Sequence, residues 1–97
     1  MIRHVAMFRW KAGVTAEHAD HTAAVLRALP AAIPELVSYH VGRDLGISNG
    51  NFDFCVVAEL HSVEAFEAYR DHPQHQAVLK EYIVPHIAER TAVQFSS

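Results

Sequence analysis

Polar and apolar residues alternate along four stretches of the chain and follow a helical spacing in two others. In "IRHVAMFRW", Ile2 to Trp10, an extended backbone puts Ile2, His4, Ala6, Phe8 and Trp10 on one face. Arg3, Val5, Met7 and Arg9 fall on the other. Successive strand side chains point to opposite sides, and both sides here carry apolar residues, so both are expected to be covered at the centre. Thr15 can cap the helix that follows, with Glu17 in its first turn to suit the dipole. Ala19, Thr22, Val25, Leu26 and Leu29 make its buried stripe, and Pro30 ends it. "PELVSYHVGRD" reads as a second strand, with Leu36, Ser38 and His40 opposite Val37, Tyr39 and Val41. Asn49-Gly50 signals a turn. Phe52 to Leu60 form a third strand, with the wholly apolar face Phe52, Phe54, Val56, Ala58 and Leu60 marking it as the deepest. Ser62 caps a second helix that carries Val63, Phe66 and Tyr69. Pro73 disfavours helical geometry at His72 and breaks that helix. "HQAVLKEYIVPHI" resumes it until Pro85, and "ERTAVQF" is the last strand, with Thr91, Val93 and Phe95 on one face.

The predicted order β-α-β-β-α-β is that of a ferredoxin-like α+β fold: a four-stranded antiparallel sheet with the helices on one face. It occupies residues 1–97 as one domain, since 97 residues are too few for two. Two helices cover one side of the sheet, while three strands look apolar on both. An uncovered apolar face calls for a partner. The simplest partner is a second copy, two sheets closing face to face into a dimeric α/β barrel.

Composition narrows the function classes. Hydrophobic residues make up 51% and charged residues 20% of the chain, as expected for a globular domain. The net charge is −3 and the basic residues are scattered, which argues against a nucleic-acid partner. No apolar run is long enough for a membrane span, and the N-terminus lacks a secretion-signal core, so a soluble cytoplasmic protein is expected. The single cysteine, Cys55, sits in an apolar strand and reads as a structural thiol. The unusual count is eight histidines, enough to reverse the sign of the charge on protonation.

The chemistry-bearing cluster is "FEAYRDHPQHQ". Tyr69 and His72 lie three apart on a helix face, and the break at Pro73 can swing His75 toward the sheet, where His4 lies on the first strand. A neutral imidazole exchanges a proton near neutral pH, and a tyrosine hydroxyl can donate to a developing oxyanion. That pairing suits proton abstraction beside a carbonyl, as in an aldol closure. The blander alternative has Tyr69 packing and the histidines capping the break. A third has His72 and His75, with His4 or His86, binding zinc, but the proline disrupts their shared face, so no metal and no cofactor are expected. His18 and His21, beside Glu17 and Asp20, fit a solvated helix face. Phe8 and Trp10 either line a ligand cavity or fill the core. The glycines form no phosphate-binding fingerprint.

"IRHVAMFRWK", "FDFCVVAELHSVEAFEAYRDHPQHQAV" and "VPHI" resemble the Dabb family, the stress-responsive dimeric α/β-barrel proteins. The resemblance covers nearly the whole chain, and its most specific pieces are His4 and "YRDHPQH". It implies the same fold and homodimer. The family includes a polyketide cyclase that closes a linear chain by aldol condensation with a Y-x-x-H-P-x-H motif. By that match Tyr69 and His75 take the catalytic positions, and His4 and His72 the pocket and its support. Phe54 stands where the cyclase has a further pocket histidine, which argues against the same substrate. Some relatives hold magnesium after the first helix, where this chain offers only the Glu35 side chain. The resemblance implies a homodimer whose apolar pocket binds a small oxygenated hydrophobic molecule, with or without cyclase-like turnover. The alternatives are a stress-associated binding or structural protein without turnover, and a monooxygenase-like or haem-binding barrel.

Overall fold

The computed structural model describes all 97 residues. Strand β1, Ile2–Trp10, runs antiparallel to β3, Phe54–Leu60, on one side and to β4, Ile87–Ser96, on the other. Strand β2, Ser38–Arg43, pairs with β3 and completes the sheet order β2-β3-β1-β4. Helix α1, Ala16–Arg27, links β1 to β2, and helices α2, Val63–Asp71, and α3, Pro73–Val78, lie between β3 and β4. This is the ferredoxin-like arrangement that the order of elements predicts. No helix is long and apolar enough to cross a membrane.

The strand alternation decides what faces the helices. His4, Ala6 and Phe8 of β1 point to the helix side, as do Phe54, Val56, Ala58 and Leu60 of β3. They close on Ala19, Ala23 and Leu26 of α1 and on Tyr69, Val78 and Ile83. Ala58 and Leu60 are fully buried, so β3 is the deepest strand. The opposite face has no helix over it. There Val5 lies in register between Val57 and Val93, and Met7 between Cys55 and Thr91. Val93 and Phe95 are about half exposed in the single chain, at 56% and 46%. One rim of this face is polar: Glu59 accepts from Arg3 at 2.9 Å and from the Ser38 hydroxyl at 2.7 Å.

Several boundaries differ from the sequence expectation. Pro30 does not stop the chain cleanly but lies inside a 3-10 turn, Leu29–Ala31, since proline fits the start of such a turn. The Asn49-Gly50 turn belongs to a longer loop between β2 and β3. Gly46 and Gly50 take positive φ there, and the Asp44 carboxylate accepts from the Gly46 N–H and the Asn51 amide. That loop absorbs Phe52 and Asp53, so β3 begins at Phe54. The resumed helix is short: α3 widens into a π-type turn, Leu79–Ile83, and then a 3-10 turn, Val84–His86. Beyond it β4 starts at Ile87, earlier than expected.

Candidate functional site

The site grows out of the break at Pro73. The Ser62 hydroxyl accepts from the Ala65 N–H at 3.1 Å and starts α2, which turns Phe66 and Tyr69 toward the sheet. A helix end leaves its last carbonyls without intrahelical partners. His72, at φ −59° and ψ 132°, is extended, so α2 stops and α3 restarts with Pro73 at its first position. The stranded Arg70 carbonyl then accepts from His75 Nδ1 at 2.9 Å and from the Gln76 amide at 2.6 Å. A carbonyl can only accept, so Nδ1 carries the proton of His75 and Nε2 keeps its lone pair. The same break folds His75 back onto Tyr69, with ring centroids 4.2 Å apart.

Tyr69 is 2% exposed and shares a 2.9 Å hydrogen bond with the hydroxyl of Tyr39 on β2. One of the two donates to the other, which leaves the acceptor's own proton free for a third group. His4 also lies near Tyr69, with ring centroids 6.4 Å apart, and packs on Phe66 at 5.0 Å. Its Nδ1 accepts from the Gln94 amide on β4 at 2.8 Å, which puts its proton on Nε2. The two histidines are thus fixed as opposite tautomers. Between these groups lies a cavity of about 120 Å³, walled by Ala6, Phe8, Val56, Leu79 and Ile83 and lined also by the exposed Arg70 and Arg90.

Burial sets the protonation states. Desolvation, with help from the positive charge of Arg90 and from His75, lowers the His4 pKa to about 4. Burial also lowers His75, although its bond to the Arg70 carbonyl works in the other direction. Burial raises both phenols, Tyr39 further than Tyr69. At neutral pH the cavity therefore holds two uncharged imidazoles and two intact hydroxyls. It offers one basic nitrogen and free O–H and N–H donors inside an apolar wall, the combination that proton transfer beside a carbonyl requires.

Of the side chains singled out in the sequence, Tyr69, His75, His4 and Phe8 meet at this cavity. His72, Trp10 and Phe54 do not line it. The His72 ring accepts the Gln74 N–H at 3.1 Å, so it caps α3 instead of supporting the pocket. Phe54 is core, in a tilted contact with Phe8 at 6.2 Å and edge-on to Trp10 at 5.3 Å. The pairing of β1 with β4 shifts register between Arg9 and Trp10, and Trp10 packs against His18 of α1 at 5.7 Å. His18 is not simply solvated: its Nε2 bonds the Tyr82 carbonyl, and its ring meets His86 at 4.2 Å. No three His, Cys, Asp or Glu side chains converge as a metal-ligand set. Sequence reasoning passed over Tyr39, Arg90 and Gln94. Strand alternation carries a signal for each, because Tyr39 shares the apolar face of Val41 while Arg90 and Gln94 lie opposite Thr91, Val93 and Phe95.

Solved structures similar to this chain share its fold. A dimeric ferredoxin-like protein of unknown function from Thermobifida fusca is 50% identical, with a TM-score of 0.91 over 99% of this chain and 90% of its own. A second dimeric protein of unknown function, from Bacteroides fragilis, is 21% identical with a TM-score of 0.86 over 99% and 95%. A hydroxynitrile lyase from Passiflora edulis is 22% identical with a TM-score of 0.82 over 97% and 90%. At such identities the last two speak to the fold alone. No curated protein matches the chain. The model of the stress responsive A/B barrel domain, Dabb, matches residues 2–97, and the chain belongs to that family.

Proposed function

We propose that the chain forms a homodimer through its open sheet face, and that each protomer uses the cavity beneath α2 to bind a small oxygenated hydrophobic molecule and move a proton on it. The dimer is supported by the apolar row Val57, Val5 and Val93 on a face without helices, and by the dimeric Thermobifida fusca relative. The observation that carries the chemistry is His75, neutral and with its proton held on Nδ1, its ring centroid 4.2 Å from that of Tyr69, whose hydroxyl is already bonded to Tyr39.

In this reading His75 Nε2 takes a proton from the carbon next to a ligand carbonyl. The electron pair moves onto the carbonyl oxygen, and the free proton of the tyrosine pair bonds the enolate that forms. Collapse of the enolate onto a second carbonyl of the same molecule makes the new C–C bond. His75 then returns its proton to the resulting alkoxide, so the ring closes with no net change in protons. The polyketide-cyclase motif of the family supports this reaction class.

The proton-abstraction step can be read alone, as deuterium uptake from D2O at the α-carbon of acetophenone, followed by NMR. The wild type accelerates uptake over buffer, His75→Ala returns it to the buffer rate, and Tyr69→Phe slows it, all three eluting as the same oligomer. Equal acceleration in both variants overturns the assignment. A wild type that binds the ketone without exchanging it leaves a binding protein and removes the catalytic half.

A further inference from the structure

The charges around the cavity are one-sided. Two arginines line it, and no Asp or Glu does. Arg70 is already engaged: Nε and Nη2 bond both carboxylate oxygens of Asp71, at 2.8 and 3.0 Å, and Glu67 lies 3.9 Å away. Arg90 has no such partner. It enters no salt bridge, and the neighbouring Glu89 is drawn to Arg9 on the other face of the sheet. In the β1–β4 register Arg90 stands opposite Phe8, on the side of the sheet that faces the cavity. Its guanidinium, on a solvent-exposed residue, is therefore an unpaired and permanently positive charge beside an apolar hole, with five donors suited to a planar anion. The nearby imidazoles and phenols are uncharged and cannot neutralise it.

We infer that Arg90 selects a ligand with a carboxylate, so that the molecule bound here is a small aryl or short-chain oxo acid. This rests on the cavity's being the binding site proposed above. Size agrees with it: an apolar cavity of about 150 Å³ takes up benzene, and the present one, at about 120 Å³, suits one ring or a short chain, with its acid group left at the arginine side. The carboxylate at Arg90 orients the molecule, and the tyrosine hydroxyls are then free for a carbonyl rather than for the acid.

Benzoate and benzamide test the assignment, being nearly equal in shape and different in charge. Calorimetry at pH 7 on the intact protein gives both affinities, and the His4 and His75 ring-proton NMR signals report whether each ligand enters the cavity. The expected result is that benzoate binds about tenfold or more tighter than benzamide, the scale of a charge-assisted hydrogen bond. Arg90→Gln removes the preference while benzamide still shifts the histidine signals, Arg90→Lys keeps part of it, and Arg90→Glu transfers it to benzamidinium. Equal binding of benzoate and benzamide by the wild type, or a preference that survives Arg90→Gln, overturns the inference and leaves the cavity as a site for neutral molecules. If neither ligand moves a histidine signal, the cavity reading falls and takes the role of Arg90 with it.

Discussion

Replacing Tyr69 with phenylalanine removes one hydroxyl of a bonded pair and leaves its ring in place. No core volume is lost, so the change is free of the cavity cost that complicates larger truncations. The structure gives the rest. Tyr39 and Tyr69 hold their hydroxyls 2.9 Å apart, and Tyr69 is almost wholly buried. A hydrogen bond of this kind contributes about 1 kcal/mol, and stranding the remaining partner away from water costs about 1–3 kcal/mol. Tyr69→Phe and Tyr39→Phe should therefore each destabilise by about 1–2 kcal/mol. With both hydroxyls gone nothing is stranded, so the double variant should lose little more than either single one. The expected coupling is about 1 kcal/mol, within the range for residues in contact. Urea titrations followed by circular dichroism at one fixed protomer concentration measure it, the concentration being held because self-association shifts the midpoint. In melting temperature a single variant falls by about 4–8 °C per kcal/mol for a domain of this size. Strictly additive losses would refute the pairing, and with it the claim that one tyrosine proton is left over for a ligand.

Two further outcomes follow from the geometry. His4, at about 4, and His75 both titrate below the ordinary histidine value of 6.5. Between about pH 6.5 and 4 the unfolded chain binds protons that the folded chain refuses, so stability is full above that window and falls as pH drops through it. Urea midpoints taken from pH 7.5 to 4 should show this slope, and His4→Gln should flatten it; an unchanged slope would remove His4 from the account. Glu59 and Asp71, whose carboxyls are lowered by their partners, lose their share only below about pH 4.5, under most of that window. On the open face, Val5→Asp sets a charge in the middle of the apolar row and should turn the proposed homodimer into a monomer in native mass spectrometry, while a dimer that tolerates it at micromolar concentration would move the interface elsewhere.

Local pattern made most of the fold legible. The 2.0 and 3.6 periods, the Thr15 and Ser62 caps and the prolines place every strand and both helical regions, and β3 follows from one apolar face. What stayed hidden depends on pairing between distant segments. Gln94 matters because β4 lies beside β1 and sets its amide against His4, ninety residues earlier in the chain. Arg90 and Tyr39 enter the site for the same reason, each brought in by a sheet register that no local window contains. His72 was misplaced because the sequence shows that Pro73 breaks the helix but not which neighbour caps the restart; main-chain geometry gives that task to His72 and turns His75 onto the Arg70 carbonyl and Tyr69. Trp10 lies outside the pocket because it is the last residue of β1, where it packs on Phe8, Phe54 and His18 instead.

The proton on His75 is held by the main chain of residue 70, not by any side chain. No substitution at that position can delete a carbonyl oxygen. The sequence there is consequently free to drift, and Arg70 can be exchanged for residues of other size or charge while the imidazole keeps the same tautomer. Relatives of this chain could diverge in what they accept at the rim of the cavity without rebuilding its base. The vulnerable point lies three residues on, at Pro73, where regaining an unbroken helix would return the carbonyl to the helical ladder and release the ring.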